Sequence, residues 1–187
     1  NIRFPMENFI GNWWAGAEHD VTPAGDAANG YKALNMNRIN PDMPVFDEIR
    51  THVVDKGLAA GDGSNIGKVL YTRGMYAAML AAEAAKTAQE MHDTAEITPA
   101  MMRDGMEALE ITDALMEELG MPGVGPAFTV TCADHGGSGE GIVQQWDASA
   151  QQWEPLTDFI TPDDEIIDEL VQQDSMAYAE ETGIETR

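Results

Sequence analysis

Residues Phe9 to Asn35 read FIGNWWAGAEHDVTPAGDAANGYKALN. The apolar opening, Phe9 to Trp14, reads as a short buried strand that runs into a glycine-containing loop, Ala15 to Asp20. Pro23 and Gly25 keep any helix within Val21 to Asn29 short, and Tyr31 to Met36 reads as a second strand. A strand, a loop, a short helix and a strand in that order point to α/β architecture.

Working outward, Asn40, Pro41 and Pro44 break the chain. From Val45 to Lys56, Phe46, Ile49 and Val53 fall at helical spacing, with Gly57 as the stop. A glycine-rich loop, Gly57 to Gly67, precedes the strongest helix signal, Met75 to Met91, where alanine dominates. Its small side chains suit close packing of a helix on a sheet. Thr98-Pro99 and Thr112 are N-terminal helix signals, and the second of these helices ends at Gly120. Phe128 to Cys132 alternates like a strand, Asp134 to Gly141 is a loop, and Ile142 to Trp146 with Gln152 to Ile160 reads as a hairpin. Thr161-Pro162 starts the last helix, whose apolar stripe is Ile167, Leu170, Val171 and Tyr178, and Gly183 ends it. About five strands in 187 residues is few for a self-contained doubly wound sheet. It fits a chain whose partner strands lie elsewhere, in missing amino-terminal sequence.

Composition narrows the function. Hydrophobic residues make up 43% of the chain, and 33 acids against 10 bases give a formal net charge of -23. Such a surface repels phosphate backbones and anionic membranes, which argues against nucleic-acid binding. No stretch approaches the roughly 18 to 20 apolar residues that span a bilayer. Cys132 is the only cysteine, so no internal disulfide forms.

Chemical motifs are sparse. Glu18-His19-Asp20 and Cys132-Ala133-Asp134-His135 lack the paired ligand sets of a zinc site. Cys132 and His135 could serve as nucleophile and base of a hydrolase, but no third orienting group stands out. Lys68 after the glycine-rich loop does not complete a phosphate-binding motif. Met101, Met102, Met106 and Met116 sit at core spacing on helices. No metal, cofactor or catalytic residue is expected.

The order of these segments resembles the type I periplasmic solute-binding proteins of the branched-chain amino acid class. FIGNWWAGAEHDVTPAGDAANGYKALN is similar to that family's strand, ligand loop, helix and following strand. MPVFDEIRTHVVDKG, VLYTRGMYAAMLAAEAAKTA and GIVQQWDASAQQW resemble its next helix, its Tyr-x-Ala helix and its closing hairpin. Asp134-His135 resembles a loop pair of this branch.

The resemblance implies a periplasmic-binding-protein-like type I fold, with two Rossmann-like α/β lobes joined by three crossing strands, of which this chain supplies part. Residues 1–33 would belong to the second lobe, 34–141 to the first, and 142–187 would return to the second and end in the terminal helix. It further implies capture of a small organic ligand, an amino acid or small carboxylate with an aromatic or aliphatic body, for import by an ABC permease. The localisation would be periplasmic or extracellular, with a signal peptide in the full-length precursor. A ligand-sensing domain of the same fold is the alternative.

For the site, the resemblance implies ligand contacts at the strand end that carries Trp13, Trp14, Gly16 and Glu18. Where amino-acid binders of the family commonly place an acidic residue, this sequence has tryptophans. In the other lobe, Tyr71 or Tyr76 is the counterpart of a ligand-facing tyrosine, and Arg73 between them can pair with a carboxylate.

Overall fold

The computed structural model describes residues 4–184. The opening segment differs from the expected buried strand. Strand β1 is only Ile10–Gly11, and Ile10 is exposed. The tryptophans fall instead in a 3-10 turn, Trp13–Ala15, because the Asn12 side chain accepts a hydrogen bond from Trp14 N at 3.1 Å and closes the backbone into a turn. Helix α1, Glu18–Val21, runs into a 3-10 segment, Thr22–Ala28, that kinks at Gly25, where φ is 54°. Strand β2 is Lys32–Asn35.

Helix α2, Pro44–Ile49, continues as a π-helical turn, Arg50–Val54, and Gly57 stops the chain with a φ of 67°. Helix α3, Val69–His92, starts six residues ahead of the alanine run. Helix α4, Pro99–Met106, is capped by Thr98 Oγ1, which accepts from Met101 N at 3.3 Å. Strand β3, Glu110–Ile111, is not expected from the sequence; it pairs antiparallel with β4, Phe128–Thr129. Between them lies helix α5, Asp113–Glu118, capped by Thr112 Oγ1. The hairpin is β5, Ile142–Asp147, and β6, Gln152–Pro155, shorter than its expected second strand. Helix α6, Asp164–Thr182, takes its cap from Asp163, two residues beyond Thr161.

The main sheet is four-stranded and mixed, in the order β1-β2-β5-β6, with β1 parallel to β2 and the other pairings antiparallel. Two apolar clusters divide the chain. One gathers Ala17, Val21, Ala28, Ala33, Trp146 and Trp153 on the face of this sheet. The other centres on Met43, Phe46, Ile111, Met116, Met121 and Val124 between the helices and the small β3-β4 sheet. Helix α3 bridges them, with Val69 in the first and Ala84 in the second.

Two packing expectations need correction. The alanine-rich helix packs closely on α4 rather than on a sheet: Gly105 lies against Ala84 and Ala88, where a Cβ would come within 2.7 Å of the Ala88 methyl. Of the methionines, Met116 is core and Met102 packs on it, whereas Met106 is half exposed at 53%. The stripe on α6 is present, but Ile167, Leu170, Val171 and Tyr178 are all exposed.

Candidate ligand-binding site

A cavity of about 800 Å³ opens between α3, α4, β4 and the 135–140 loop, with the Trp13 turn at its edge. Leu80, Met102, Leu109, Phe128 and Val130 give it an apolar floor, and Arg73, Tyr76, Asn37, His135 and Glu140 supply polar groups. An apolar pocket with a few convergent polar groups is the usual form of a small-molecule site.

Arg73 is held from two sides. Its guanidinium lies 3.8 Å from the centroid of the Trp13 ring, close enough for a cation–π contact. Its Nη2 donates to Trp13 O at 2.7 Å and to Asn35 Oδ1. Burial pushes the guanidinium pKa down, opposed by the nearby carboxylates of Asp20 and Glu18. Three residues along the same helix, Tyr76 lines the same cavity, and burial pushes its phenol up to about 12.

The structure therefore brings Trp13, Arg73 and Tyr76 to one cavity and leaves the other sequence candidates out of its lining. Trp14 is 81% exposed on the far side of the turn. Gly16 is buried under Ala33 and Asn35, where a Cβ would stand 2.9 Å from the Ala33 methyl. Both carboxylate oxygens of Glu18 lie 3.2 Å from Val69 N, so Glu18 satisfies a free N–H at the start of α3 and adds charge suited to that positive end. Tyr71 lies inside α3, not in a turn before it, and packs edge-on against Phe46 at 6.2 Å.

Sequence reasoning missed the amide groups at the end of β2. Asn35 and Asn37 are 1% and 3% exposed, and buried amides call for partners. The one available signal was the alternation of asparagine in LNMN, Leu34 to Asn37, at a strand end. His135 also lines the cavity, with Nε2 3.5 Å from Glu107. Cys132 is exposed, and it makes no hydrogen bond with His135 among the described residues. No cluster of His, Cys, Asp and Glu able to hold a metal occurs among the described residues.

No protein-family profile matches the chain, and no curated protein sequence does. Solved structures that match include an ABC transporter permease from the Pseudomonas fluorescens group, with a TM-score of 0.90 and 32% identity over 99% of this chain. A branched-chain amino acid ABC transporter from Thermus thermophilus, crystallised with bound valine, matches 82% of the chain with a TM-score of 0.57 and 22% identity. Both neighbours are ABC transporter components. The chain spans 44% of the first and 39% of the second, less than half the length of either. The mixed α/β fold with open sheets is shared with these two neighbours over 99% and 82% of the chain. No helix among the described residues is long and apolar enough to cross a membrane.

Proposed function

We propose that this chain forms part of a non-catalytic solute-binding component of an ABC importer, and that it captures a small organic ligand with an apolar body and an anionic end. The observation that carries the reading is Arg73 fixed over Trp13 at the edge of a largely apolar cavity. An apolar floor favours an aliphatic or aromatic body, and a half-buried cation favours a carboxylate, whose hydrogen bonds to a charged donor are the stronger kind. The valine held by one structural neighbour has such a body and such an end, which supports the class of ligand.

The reading extends to architecture and location. The two apolar clusters are parts of two lobes, with most of 34–141 supplying one, and the flanking segments, joined by Ile39 and Val69, supplying the other. The permease is the partner in the membrane, and the place of action is the periplasm or cell exterior. Further polypeptide covers the apolar faces left open on α6 and at Ala78 and Ala82 of α3, which lie outside the cavity lining. Support for that last point is the greater length of both neighbours, which build the same fold with more than twice as much chain.

A thermal-shift screen of the chain against free amino acids and small carboxylates tests the proposal. At least one carboxylate should raise the midpoint in a saturable way, and Arg73→Gln should abolish that response without lowering the unliganded midpoint by more than a few degrees. A screen with no saturable response, or one in which Arg73→Gln responds like the parent, would remove the reading.

A further inference from the structure

We infer that Asn35 and Gln144 are positioning residues for Arg73, acting as a buried amide relay that fixes which face of the guanidinium a ligand can meet. The inference rests on the solute-binding reading for its consequence, but not for its geometry. Asn35 closes β2 and Gln144 lies on β5, where Gln144 stands opposite Ala33 and Asn35 opposite Ile142. The two amides are therefore diagonal neighbours on one sheet face, within reach of long side chains. They are 1% and 0% exposed.

Asn35 Nδ2 donates to Gln144 Oε1 at 3.0 Å and to Gly16 O at 3.4 Å, while Asn35 Oδ1 accepts from Arg73 Nη2. Glycine at position 16 makes this approach possible, because a Cβ there would stand 3.2 Å from Asn35 Oδ1. An apolar pair would fill this face of the sheet without the desolvation cost of two amides. What the amides add is a grip on Arg73.

That grip has a chemical consequence. A guanidinium presents two-donor forks along its Nη1/Nη2 edge and its Nε/Nη2 edge, and both use Nη2. Here Nη2 is committed to Trp13 O and Asn35 Oδ1. Nε and Nη1 make no hydrogen bond among the described residues. A ligand carboxylate thus meets Arg73 through a single donor, Nη1 or Nε, rather than through a fork, and ring contact with Trp13 holds the guanidinium plane in place.

The test uses the full chain and needs no known ligand. Phenylglyoxal, an arginine reagent, is applied to the folded chain, and modification of each arginine is followed by peptide mass mapping. Arg73 should react at least about tenfold more slowly than the exposed Arg50. Asn35→Leu should raise the Arg73 rate at least about fivefold while leaving Arg38 and Arg103 unchanged, which a general loosening of the fold would not do.

Asn35→Asp should restore the slow rate, because the introduced carboxylate keeps an acceptor for Nη2. Gln144 Nε2, which has no partner among the described residues, can then turn to donate to that carboxylate. An unchanged Arg73 rate in folded Asn35→Leu, or a fast rate in Asn35→Asp, overturns the relay. If Asn35→Leu fails to fold, Gln144→Met, which removes only the second amide, should raise the rate to a lesser degree, and no rise overturns the relay equally.

Isovalerate and its amide, 3-methylbutanamide, serve as matched probes of the consequence. Asn35→Asp should weaken isovalerate at least about tenfold and the amide hardly at all, since the added charge neutralises Arg73. If the reactivity pattern holds but neither probe nor any screened carboxylate binds the parent, the positioning assignment stands and the solute-binding reading falls.

Discussion

Arg73 and Tyr76 both face the cavity from α3. Arg73 is half-buried, and its head group stacks on Trp13. Replacement by methionine keeps the stem and removes the charge, so a carboxylate ligand should lose about 1.5 to 3 kcal/mol of binding, the range for a hydrogen bond to a charged group. Calorimetric titration measures this directly. Tyr76 predicts an alkaline effect on stability. Its phenol is raised from 10.0 to about 12 by burial, so in that window the unfolded chain loses the proton while the folded chain keeps it. Stability should be level below pH 10, fall as the pH rises towards 12, and then level off. Tyr31, also raised by burial and by Asp20, acts in the same direction. Tyr76→Phe should therefore flatten the alkaline limb of a denaturation series without abolishing it; an identical limb in the variant would contradict the assignment.

At the scale of elements, the strongest test concerns how α3 begins. Its first N–H is met by Glu18, from 51 positions earlier in the chain. Glu18→Ala should cost about 0.5 to 2 kcal/mol, as loss of a helix cap does, and should speed amide exchange in the turn around Val69 more than elsewhere. Gly105→Ala belongs to the same scale. Its methyl would be driven into the backbone and side chain of Ala84 and Ala88, and overpacking of this kind costs about 1 to 3 kcal/mol in a denaturant melt.

These two elements also mark what was legible in the sequence. Thr98 and Thr112 cap their helices as read, because the information lies within three residues of each cap. The start of α3 was not legible, because its cap comes from a distant carboxylate. As a result Tyr71 and Arg73 read as a turn when they are helical. Strand β3 was missed because two residues carry no alternation; its partner β4 alone gives it identity. At the opening stretch, apolar content outweighed the turn signal of Asn12. The candidate site suffered likewise: Trp13, Arg73 and Tyr76 were readable as side chains, whereas Asn35 and Gln144 acquire meaning only when β2 pairs with β5.

For the molecule as a whole, the open surfaces and the cavity belong to one account. Helix α6 presents Ile166, Ile167, Leu170, Val171 and Tyr178 to solvent from one side, each at least 44% exposed. A contiguous apolar face of this kind is rare on a soluble monomer. The chain on its own should bind a hydrophobic dye such as ANS strongly, and Ile167→Glu with Leu170→Glu should lower that signal and raise solubility. Unchanged dye binding would place the open surface elsewhere. Calorimetry on a pair of tryptophan variants, with the tightest-binding carboxylate from a screen, shows whether the cavity edged by Trp13 and Arg73 holds the ligand. Trp13→Ala should weaken binding by about 1 to 3 kcal/mol, the scale of a lost buried aromatic contact, while Trp14→Ala, in the same turn but facing solvent, should leave affinity unchanged. Equal losses in both variants, or full affinity in a folded Trp13→Ala chain, would contradict the account.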